Sequence, residues 1–322
     1  MTQRGEFGFI AQSLAPLSRG YAGAFGLTDD AAALAASSGL VVTTDTLVEG
    51  VHFRSDDPAA MIAKKAIRVN VSDLVAMAAT PHAVMLSIVW PANVEAVVQA
   101  DFVNGLREDL TLYGIPLIGG DTTLGGDRLI VTVTAFGEAA KPLRRNAAKP
   151  GDGIFVTGTI GDAYLGLRAD TLDLPSDLQS FLKQRYLLPS PRVDLINTLR
   201  EYASTGLDVS DGLVADASHL SSASSVRCEI QLDAIPVSAA ANSWLATCPD
   251  RTAAIVDLVT GGDDYEMLFT AAPAVESKLV NAAAVADVSL TKIGQISSGD
   301  GVDVRAGNGE IVQILQTGFT HF

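Results

Sequence analysis

The chain has 322 residues, of which 48% are hydrophobic and 18% are charged, a composition typical of a folded globular protein and not of a disordered one. A formal net charge of −15 argues against a nucleic-acid backbone or an anionic membrane as a partner. The length predicts about two domains, and no apolar run approaches the roughly 18 residues that a membrane helix needs.

Expectations for location and redox state come from the N-terminus and the cysteines. Arg4 and Glu6 precede any long apolar run, which is unlike a signal peptide, so we expect the protein to be cytoplasmic. Cys228 and Cys248 lack the spacing of a metal site and are too few for a disulfide framework. We therefore expect two reduced, partly buried thiols.

Helical and strand patterns alternate along the first part of the chain. In order they predict a short helix ending near Pro16, a strand at Val41 and Val42, a helix from Asp57 to about Ala79, the strand HAVMLSIVW, a helix from Asn93 to Gly114, and strands at IPLI and RLIVTVTAFGE. A basic, proline-bearing connector, Lys141 to Gly153, predicts a domain boundary. We assign residues 1–140 to an N-terminal domain and residues 141–322 to a C-terminal domain.

The second part of the chain continues the alternation. It predicts a strand at GIFVTG, a helix starting in GDAYLGLRAD, a helix from Ser190 with Pro191 at its first position, a strand, turn and helix in GLDVSDGLVADASHL, a strand at VRCEIQLD, two Ala-rich helical stretches around Cys248, a strand in TGGDDYEMLFT, a helix near 274–286, and short strands around Ile293, Val302 and Ile311. Such alternation predicts an α/β (α+β) fold in two domains.

Aspartates recur at the ends of strands and in turns. The set is Asp30, Asp45, Asp73, Asp121, Asp208 and Asp211. Without a cation, two such carboxylates about 4 Å apart would repel by about 4 kcal/mol at an effective dielectric of 20. Mg²⁺ prefers oxygen ligands, and Thr43 and Thr44 add two hydroxyls directly before Asp45. A magnesium cluster is one interpretation, and separate caps and turns that point to solvent are the other.

Two glycine turns and a pair of arginines are candidates for phosphate binding. Gly119-Gly120-Asp121 and Gly261-Gly262-Asp263-Asp264 could let backbone N–H groups approach a phosphate. Arg144 or Arg145 could bind a phosphate in a bidentate manner, although arginines on a connector are more often solvated. The P-loop lysine and the HRD and DFG motifs are absent. Any nucleotide must therefore be held by a different arrangement.

Taken together, several segments in order along the chain resemble the thiamine-monophosphate kinase family from end to end. They are GEFGFI, VVTTDTLVEGVHF, KAIRVNVSDLVAMAATP, LIGGDTT, RRNAAKPGD, VTGTIGDAYLGL, DVSDGL, GGDDYEMLFT and GFTHF. That family belongs to the aminoimidazole ribonucleotide synthetase-like (PurM-like) superfamily. The resemblance implies two α/β domains, a homodimer built on strands of the N-terminal domain, and ATP-dependent phosphorylation of thiamine monophosphate to thiamine diphosphate.

The resemblance also implies roles for individual residues. The Mg²⁺ ligands would be Asp30, Thr43, Thr44, Asp45, Asp73, Asp121, Asp208 and Asp211, with Asp45, Asp121 and Asp208 central to catalysis. Nucleotide-binding positions would be Gly120, Asp121, Arg145 and Ser210, and thiamine-binding positions would be His52, Asp263 and Phe319. The chain departs from the family in having Asp263 where glutamate is common and Ala78 where glycine is common.

The substrate suggests the mechanism. A phosphate monoester carries about 1.5 to 2 negative charges at pH 7, so an anionic oxygen is already available to attack and no strong general base is needed. Positioning and charge neutralisation by several Mg²⁺ ions would support direct in-line transfer. Two alternatives remain: another ATP-dependent PurM-like enzyme, either a synthetase or a selenophosphate-forming one, and a non-catalytic protein that binds metal or nucleotide.

Overall fold

A computed structural model describes residues 10–22, 24 and 39–319 of the chain. By its contacts the chain divides into two compact units. The first comprises the described residues up to Leu74 together with Ala79–Ala140, and the second comprises Val75–Ala78 and the residues from Lys141 onward. Within the described part of the chain, no helix combines the length and the apolar character required to cross a bilayer.

The first unit contains a four-stranded mixed sheet. Its strands and helices are β1 (Leu40–Val48), α1 (Ala59–Ala76), β2 (Thr80–Trp90), α2 (Ala96–Leu112), β3 (Leu117–Leu124) and β4 (Ile130–Glu138), preceded by helical turns at Ile10–Leu14 and Ala15–Ser18. The strand order is β1-β4-β2-β3, in which β4 is antiparallel to both neighbours and β2 is parallel to β3.

Helices α1 and α2 cover one face of this sheet. The backbone N–H of Asp45 on β1 donates to Asn70 Oδ1 on α1, and the ring of Trp90 on β2 packs edge-on against Phe102 on α2 at 5.3 Å. The helices cross closely at Gly105, where a Cβ would lie 2.2 Å from the carbonyl oxygen of Ala60. A glycine is therefore needed at this crossing, because any side chain would push α2 away from α1.

The other face of the sheet is lined by hydroxyl and apolar side chains. Thr44 pairs with Thr134 at 3.1 Å and Thr46 pairs with Thr132 at 2.8 Å, each through their hydroxyl oxygens. Val42, two residues before Thr44, is 53% exposed. Burial alternates along β1 and β4 because successive side chains point to opposite faces of a sheet.

Helix α1 ends three residues before the predicted end, and Ala78 explains why. The backbone of Ala78 has φ 52°, in the left-handed region, and its N–H donates to Val75 O. The N–H of Ala79 donates to Leu74 O at 2.7 Å, which closes the helix in the manner of a glycine C-cap. An alanine in this conformation costs about 1–2 kcal/mol, so glycine is the residue that this position favours.

The second unit contains a six-stranded sheet. Its elements are β5 (Gly153–Thr157), α3 (Asp162–Gly166), α4 (Ser176–Leu187), α5 (Ile196–Tyr202), β6 (Ala203–Asp208), α6 (Leu213–Ser224), β7 (Arg227–Gln231), α7 (Ala239–Leu245), α8 (Arg251–Thr260), β8 (Met267–Ala271), α9 (Glu276–Val285), β9 (Leu290–Ser297) and β10 (Gly301–Arg305). The strand order is β10-β7-β9-β5-β8-β6, in which only the β10–β7 pair is parallel.

The core of the second unit is centred on β5 and β8, every residue of which is buried. The rings of Phe155 and Phe269, on neighbouring strands, stack at 5.8 Å. Cys228 on β7 is 1% exposed, and burial raises the pKa of its thiol to about 12. Cys248 is partly exposed, and both cysteines are free thiols. Cys228 is therefore more deeply buried than the sequence predicted.

Three features of the second unit differ from the sequence prediction. Helix α4 was not predicted, because its polar sequence has little helical periodicity. The helix expected from Ser190 begins instead with a 3₁₀ turn at Val193–Leu195. Ile311 forms a single bridge with Arg305 and no strand.

Candidate functional site

The first group of candidate residues lies between β1 and α1. The hydroxyl of Thr43 donates to Asp73 Oδ2 at 2.5 Å, so the aspartate inside the apolar helix has a polar partner. Asp45 lies two residues further along β1 on the same face, and its backbone is held by Asn70. Strand β1 and helix α1 therefore bring Thr43, Asp45 and Asp73 together.

The pKa of Asp45 depends on its burial and on the neighbouring carboxylate. Burial, and secondarily the negative charge of Asp73, raise the pKa of Asp45 to about 6. A cation bound here would relieve the repulsion between the two carboxylates, and the available donors are carboxylate and hydroxyl oxygens. The residues present therefore fit a hard divalent cation such as Mg²⁺. Thr44 points to the opposite face, where its hydroxyl donates to Val133 O.

Asp121 and Gly120 lie on β3, at the other edge of the same sheet. The segment predicted as a glycine turn is instead part of this strand. In the sheet register, Asp45 pairs with Val133, Val133 with Leu86, and Leu86 with Gly120. Three strand spacings, about 14 Å along the sheet, separate this edge from β1. Within the first unit, Asp121 thus does not join the group around Asp45.

Gly120 is required by the backbone of β3. Its φ is 146°, and a Cβ at this position would lie 1.8 Å from Leu86 O on the neighbouring strand. No other residue fits without shifting the strand. The side chain of the next residue, Asp121, is exposed.

His52 lies in the turn that follows β1. The backbone N–H of Val48 donates to its Nδ1 at 3.0 Å, and Lys65, a buried lysine, donates to its carbonyl oxygen at 3.3 Å. Because Nδ1 accepts a hydrogen bond, the neutral imidazole carries its proton on Nε2. The ring is thus oriented as a hydrogen-bond donor through Nε2.

The second group of candidate residues lies at the end of β6. The buried Asp208 ends the strand, and Ser210 and Asp211 form the turn into α6. The N–H groups of Ser210, Asp211 and Gly212 all donate to Asp216 Oδ2, at 3.0, 3.2 and 3.2 Å. Asp216 therefore fixes the turn from inside α6, and these N–H groups are already occupied.

Asp216 and His219 lie beside Asp211 at this turn. Asp211, Asp216 and His219 each place a potential ligand atom within 4.8 Å of the others. Burial, followed by the charge of Asp211, raises the pKa of Asp216 to about 7. Neither Asp216 nor His219 was predicted from the sequence, although their spacing of three residues on a predicted helix places them on one face.

Asp263 and Phe319 come from distant segments and are anchored to the same turn. The N–H of Asp263 donates to Ser210 O at 2.8 Å, and the N–H of Phe319 donates to Asp211 O at 2.9 Å. The side chain of Phe319 is 46% exposed. The backbones of Asp263 and Phe319 are thus held by two consecutive residues of one turn, Ser210 and Asp211.

Two backbone N–H groups of the turn that carries Asp263 donate to carbonyl oxygens of the protein itself. The N–H groups of Gly261 and Asp263 donate to Leu258 O and Ser210 O, so they do not form the predicted cradle. Asp263 has φ 68° and Tyr265 has φ 51°, both left-handed. Aspartate tolerates this conformation better than most residues because its short side chain can bond locally, which favours Asp263 over glutamate here.

Two buried acids, whose structural role the sequence did not predict, support this turn. Asp264 Oδ2 accepts the N–H of Gly161 at 2.8 Å, and burial raises its pKa well above the usual range. Glu266 is fully buried and binds Arg192 through both carboxylate oxygens, at 2.5 and 2.7 Å. It also accepts Arg185 Nη2 at 2.7 Å and the Thr157 hydroxyl at 2.6 Å.

The remaining predicted residues contribute less to these groups. Arg144 and Arg145 are exposed on the connector, and Arg145 O accepts the hydroxyl of Ser224. Asp30 lies outside the described residues.

Comparison with known proteins gives a consistent result along the chain. Residues 28–139 match the N-terminal domain model of AIR synthase related proteins, and residues 149–307 match the C-terminal domain model. The thiamine-monophosphate kinase of Caulobacter vibrioides is 40% identical over 301 residues, covering 92% of this chain and 85% of that protein.

Solved structures resemble the whole fold. The thiamine-monophosphate kinase of Stenotrophomonas maltophilia K279a is 36% identical with a TM-score of 0.82, and the match covers 94% of this chain and 98% of that one. AaThiL complexed with AMPPCP and TMP is 30% identical with a TM-score of 0.78, over 100% of this chain and 98% of that one.

Proposed function

Because the chain belongs to the thiamine-monophosphate kinases of the AIR synthase related family, we propose that it transfers phosphate from ATP to thiamine monophosphate by direct in-line attack, assisted by several Mg²⁺ ions. AaThiL, a similar structure, was solved with AMPPCP, an analogue of ATP, and TMP. The observation that carries the proposal is the group formed by Thr43, Asp45 and Asp73, whose oxygens suit the cation that such a reaction requires.

The acceptor supplies its own nucleophile. A phosphate monoester is anionic at pH 7, so the protein does not have to remove a proton before attack. The protein must instead orient two phosphate groups that repel each other. We assign Thr43, Asp45 and Asp73 to holding one Mg²⁺ between β1 and α1, and Asp30, Asp121, Asp208 and Asp211 to holding further Mg²⁺ ions, which when bound would neutralise phosphate oxygens. The hydroxyl of Thr44 lies on the opposite face of the sheet and is left out of this set. His52 donates from Nε2 to the acceptor and does not act as a base.

The nucleotide is assigned to Gly120, Asp121, Arg145 and Ser210. The exposed guanidinium of Arg145 is available for bidentate contact with a phosphate. The N–H of Ser210 is used by Asp216, so its hydroxyl is the group left for a ligand. We assign residues 1–140 and 141–322 as the two functional domains, and the cytoplasmic location stays a prediction.

Release of ADP separates this function from its competitors. On mixing with ATP, Mg²⁺ and thiamine monophosphate, we expect ADP and thiamine diphosphate in equal amounts, and no turnover without Mg²⁺. A synthetase or selenophosphate-forming enzyme would require another acceptor. A binding protein would retain ATP without hydrolysis or transfer, and that outcome would remove the proposal.

We propose that the chain forms a homodimer through the face of the first-unit sheet that α1 and α2 leave uncovered. That face combines paired threonines with the exposed side chain of Val42. Sedimentation at micromolar concentration should give twice the 33.5 kDa mass of the chain. Val42→Asp should shift the equilibrium toward monomer, because it places a carboxylate in a surface that association would bury. A wild-type monomer would contradict the proposal.

Phe319 and Asp263 are expected to select the organic end of the acceptor. Thiamine monophosphate carries a cationic thiazolium, and a cation over an aromatic ring gains roughly 0.5–2 kcal/mol. Phe319→Ala and Asp263→Asn should each raise KM for thiamine monophosphate several-fold more than KM for ATP. Phe319→Tyr, which keeps the ring, is the matched control. Equal changes in the two KM values, or a lower melting temperature with unchanged kinetics, would make Phe319 a structural residue.

A further inference from the structure

One buried carboxylate, that of Asp216, holds the turn between β6 and α6. The backbone N–H groups of three consecutive residues, Ser210, Asp211 and Gly212, donate to its Oδ2 at 3.0, 3.2 and 3.2 Å. Successive N–H groups in a turn form a concavity that binds anions. Here the anion is a side chain of the chain itself, and it is only 2% exposed. Asp216 therefore holds the turn from inside the unit, away from solvent.

The carbonyl groups of the same turn hold two other segments of the chain. Ser210 O accepts the N–H of Asp263 at 2.8 Å, and Asp211 O accepts the N–H of Phe319 at 2.9 Å. The side chains of Ser210 and Asp211 are assigned above to the nucleotide and to Mg²⁺, and Asp263 and Phe319 to the acceptor. One turn thus connects Asp216 to residues assigned to all three reactants.

Close packing couples this turn to the two segments that it holds. A Cβ on Gly262 would lie 2.6 Å from Ser210 O, and a Cβ on Gly318 would lie 2.6 Å from Asp211 O. These glycines directly precede the two residues whose N–H groups the turn accepts. Because the backbones already touch, the turn has little room to move towards either segment. A displaced turn would therefore displace both segments with it.

We propose that Asp216 is a positioning residue for phosphoryl transfer, which acts through this turn and touches neither substrate. The role rests on the proposed function, because that function assigns the side chains of the turn to the reactants. In-line attack requires accurate placement of two phosphate groups, and a misplacement of about 1 Å can cost about 100-fold in rate. Without Asp216 as acceptor, three N–H groups would lose their partner and the turn would relax.

Three substitutions separate the position of the acceptor oxygen from its charge. At saturating ATP, Mg²⁺ and thiamine monophosphate, Asp216→Ala removes the acceptor and should lower kcat about 100-fold. Asp216→Asn keeps an acceptor oxygen in place and should retain kcat within about threefold. Asp216→Glu keeps the charge but moves it by one methylene, and should lower kcat about tenfold.

The order of these variants decides the proposal, and Asn against Glu decides it even where the alanine variant does not fold. If Asp216→Asn lost as much activity as Asp216→Ala, or if Asp216→Glu were more active than Asp216→Asn, the charge and not the position of the acceptor would matter. Direct binding of a cation together with Asp211 and His219 would then replace the positioning role.

Leu220→Ala is the control for a loss of stability alone. Leu220 is a core residue of α6, 1% exposed and outside the turn. Its truncation should lower the melting temperature, because it leaves a cavity, and should leave kcat within about twofold. If Asp216 were merely structural, Asp216→Ala would likewise melt earlier with the kcat of the wild type. That result would overturn the proposal.

Hydrogen exchange without substrates tests the anchoring apart from the reaction. In Asp216→Ala, peptides that cover the turn, Asp263 and Phe319 should exchange about tenfold faster than in the wild type, whereas Asp216→Asn should remain slow. If the wild type transfers no phosphate but exchange changes as expected, the anchoring stands and the proposed function falls. If transfer proceeds and Asp216→Ala exchanges like the wild type, the anchoring falls and the function stands.

Discussion

Asp45→Asn is expected to lower turnover by about 100-fold or more while the protein remains folded. The substitution keeps the shape of the side chain and removes the negative charge that would hold a cation beside Asp73. Loss of one electrostatic stabiliser of a transition state typically costs about 10²–10³-fold in turnover. The measurement is steady-state formation of thiamine diphosphate at saturating ATP, Mg²⁺ and acceptor.

The same variant should be more stable than the wild type in metal-free buffer at pH 8. The pKa of Asp45 is raised to about 6 in the folded chain, against 3.8 as its ordinary value. The ionised group therefore destabilises the fold above pH 6, and the penalty vanishes as the pH falls below 3.8. Removing the charge should add up to about 3 kcal/mol at pH 8.

This combination distinguishes a lost metal ligand from a damaged fold. Misfolding would lower activity and stability together, whereas we expect lower activity with higher stability. Asp127→Asn, which removes an exposed acid of the same unit, should change neither quantity. Near-normal turnover in Asp45→Asn would remove the metal site between β1 and α1.

Glu266→Ala should destabilise the second unit by about 3–5 kcal/mol. The carboxylate accepts four hydrogen bonds, from Arg185, Arg192 twice and Thr157, at a fully buried position. Truncation would remove the counter-charge of Arg192 and would leave Arg185 only the more distant Asp162, at 3.9 Å, and such losses at largely buried guanidinium groups are costly. Urea unfolding followed by the fluorescence of Trp244, in a Trp90→Phe background, reports on this unit alone.

An exposed ion pair provides the control for Glu266. Lys183 bonds Asp170 at 3.1 Å, with side chains 40% and 54% exposed, so Asp170→Asn should change stability by less than about 0.5 kcal/mol. A loss of similar size in both variants would mean that the Glu266 network contributes no more than a surface pair.

The sequence predicted the elements that have strong periodicity or clear boundary residues. Strand β4 and helix α2 have both, and they occur close to where they were expected. Strand β4 begins at Ile130 and not at Arg128, and α2 runs from Ala96 to Leu112 and not from Asn93 to Gly114. Helix α4 has neither, because polar residues are spread around its surface. The end of α1 was predicted three residues too far along the chain. Glycine is the usual signal for a left-handed turn at a helix end, and Ala78 has this conformation without that signal.

The candidate site was predictable only in part. Thr43, Asp45 and Asp73 could be found because polar residues interrupt apolar patterns there. The network of Glu266 could not, since its two arginines come from an unpredicted helix and an irregular segment, and long-range pairing leaves no local signal. The distance between Asp45 and Asp121 depends on the strand order, which the aspartate pattern does not encode.

The backbone on both sides of Asp263 is fixed before any ligand arrives. Asp263 and Tyr265 donate to Ser210 O and Val209 O, while Asp264 and Glu266 are tied to buried partners. Binding of a ligand at this turn would therefore cost little conformational entropy, because the chain is already ordered there by folding. The amide hydrogens of this turn should therefore exchange as slowly as those of the surrounding core.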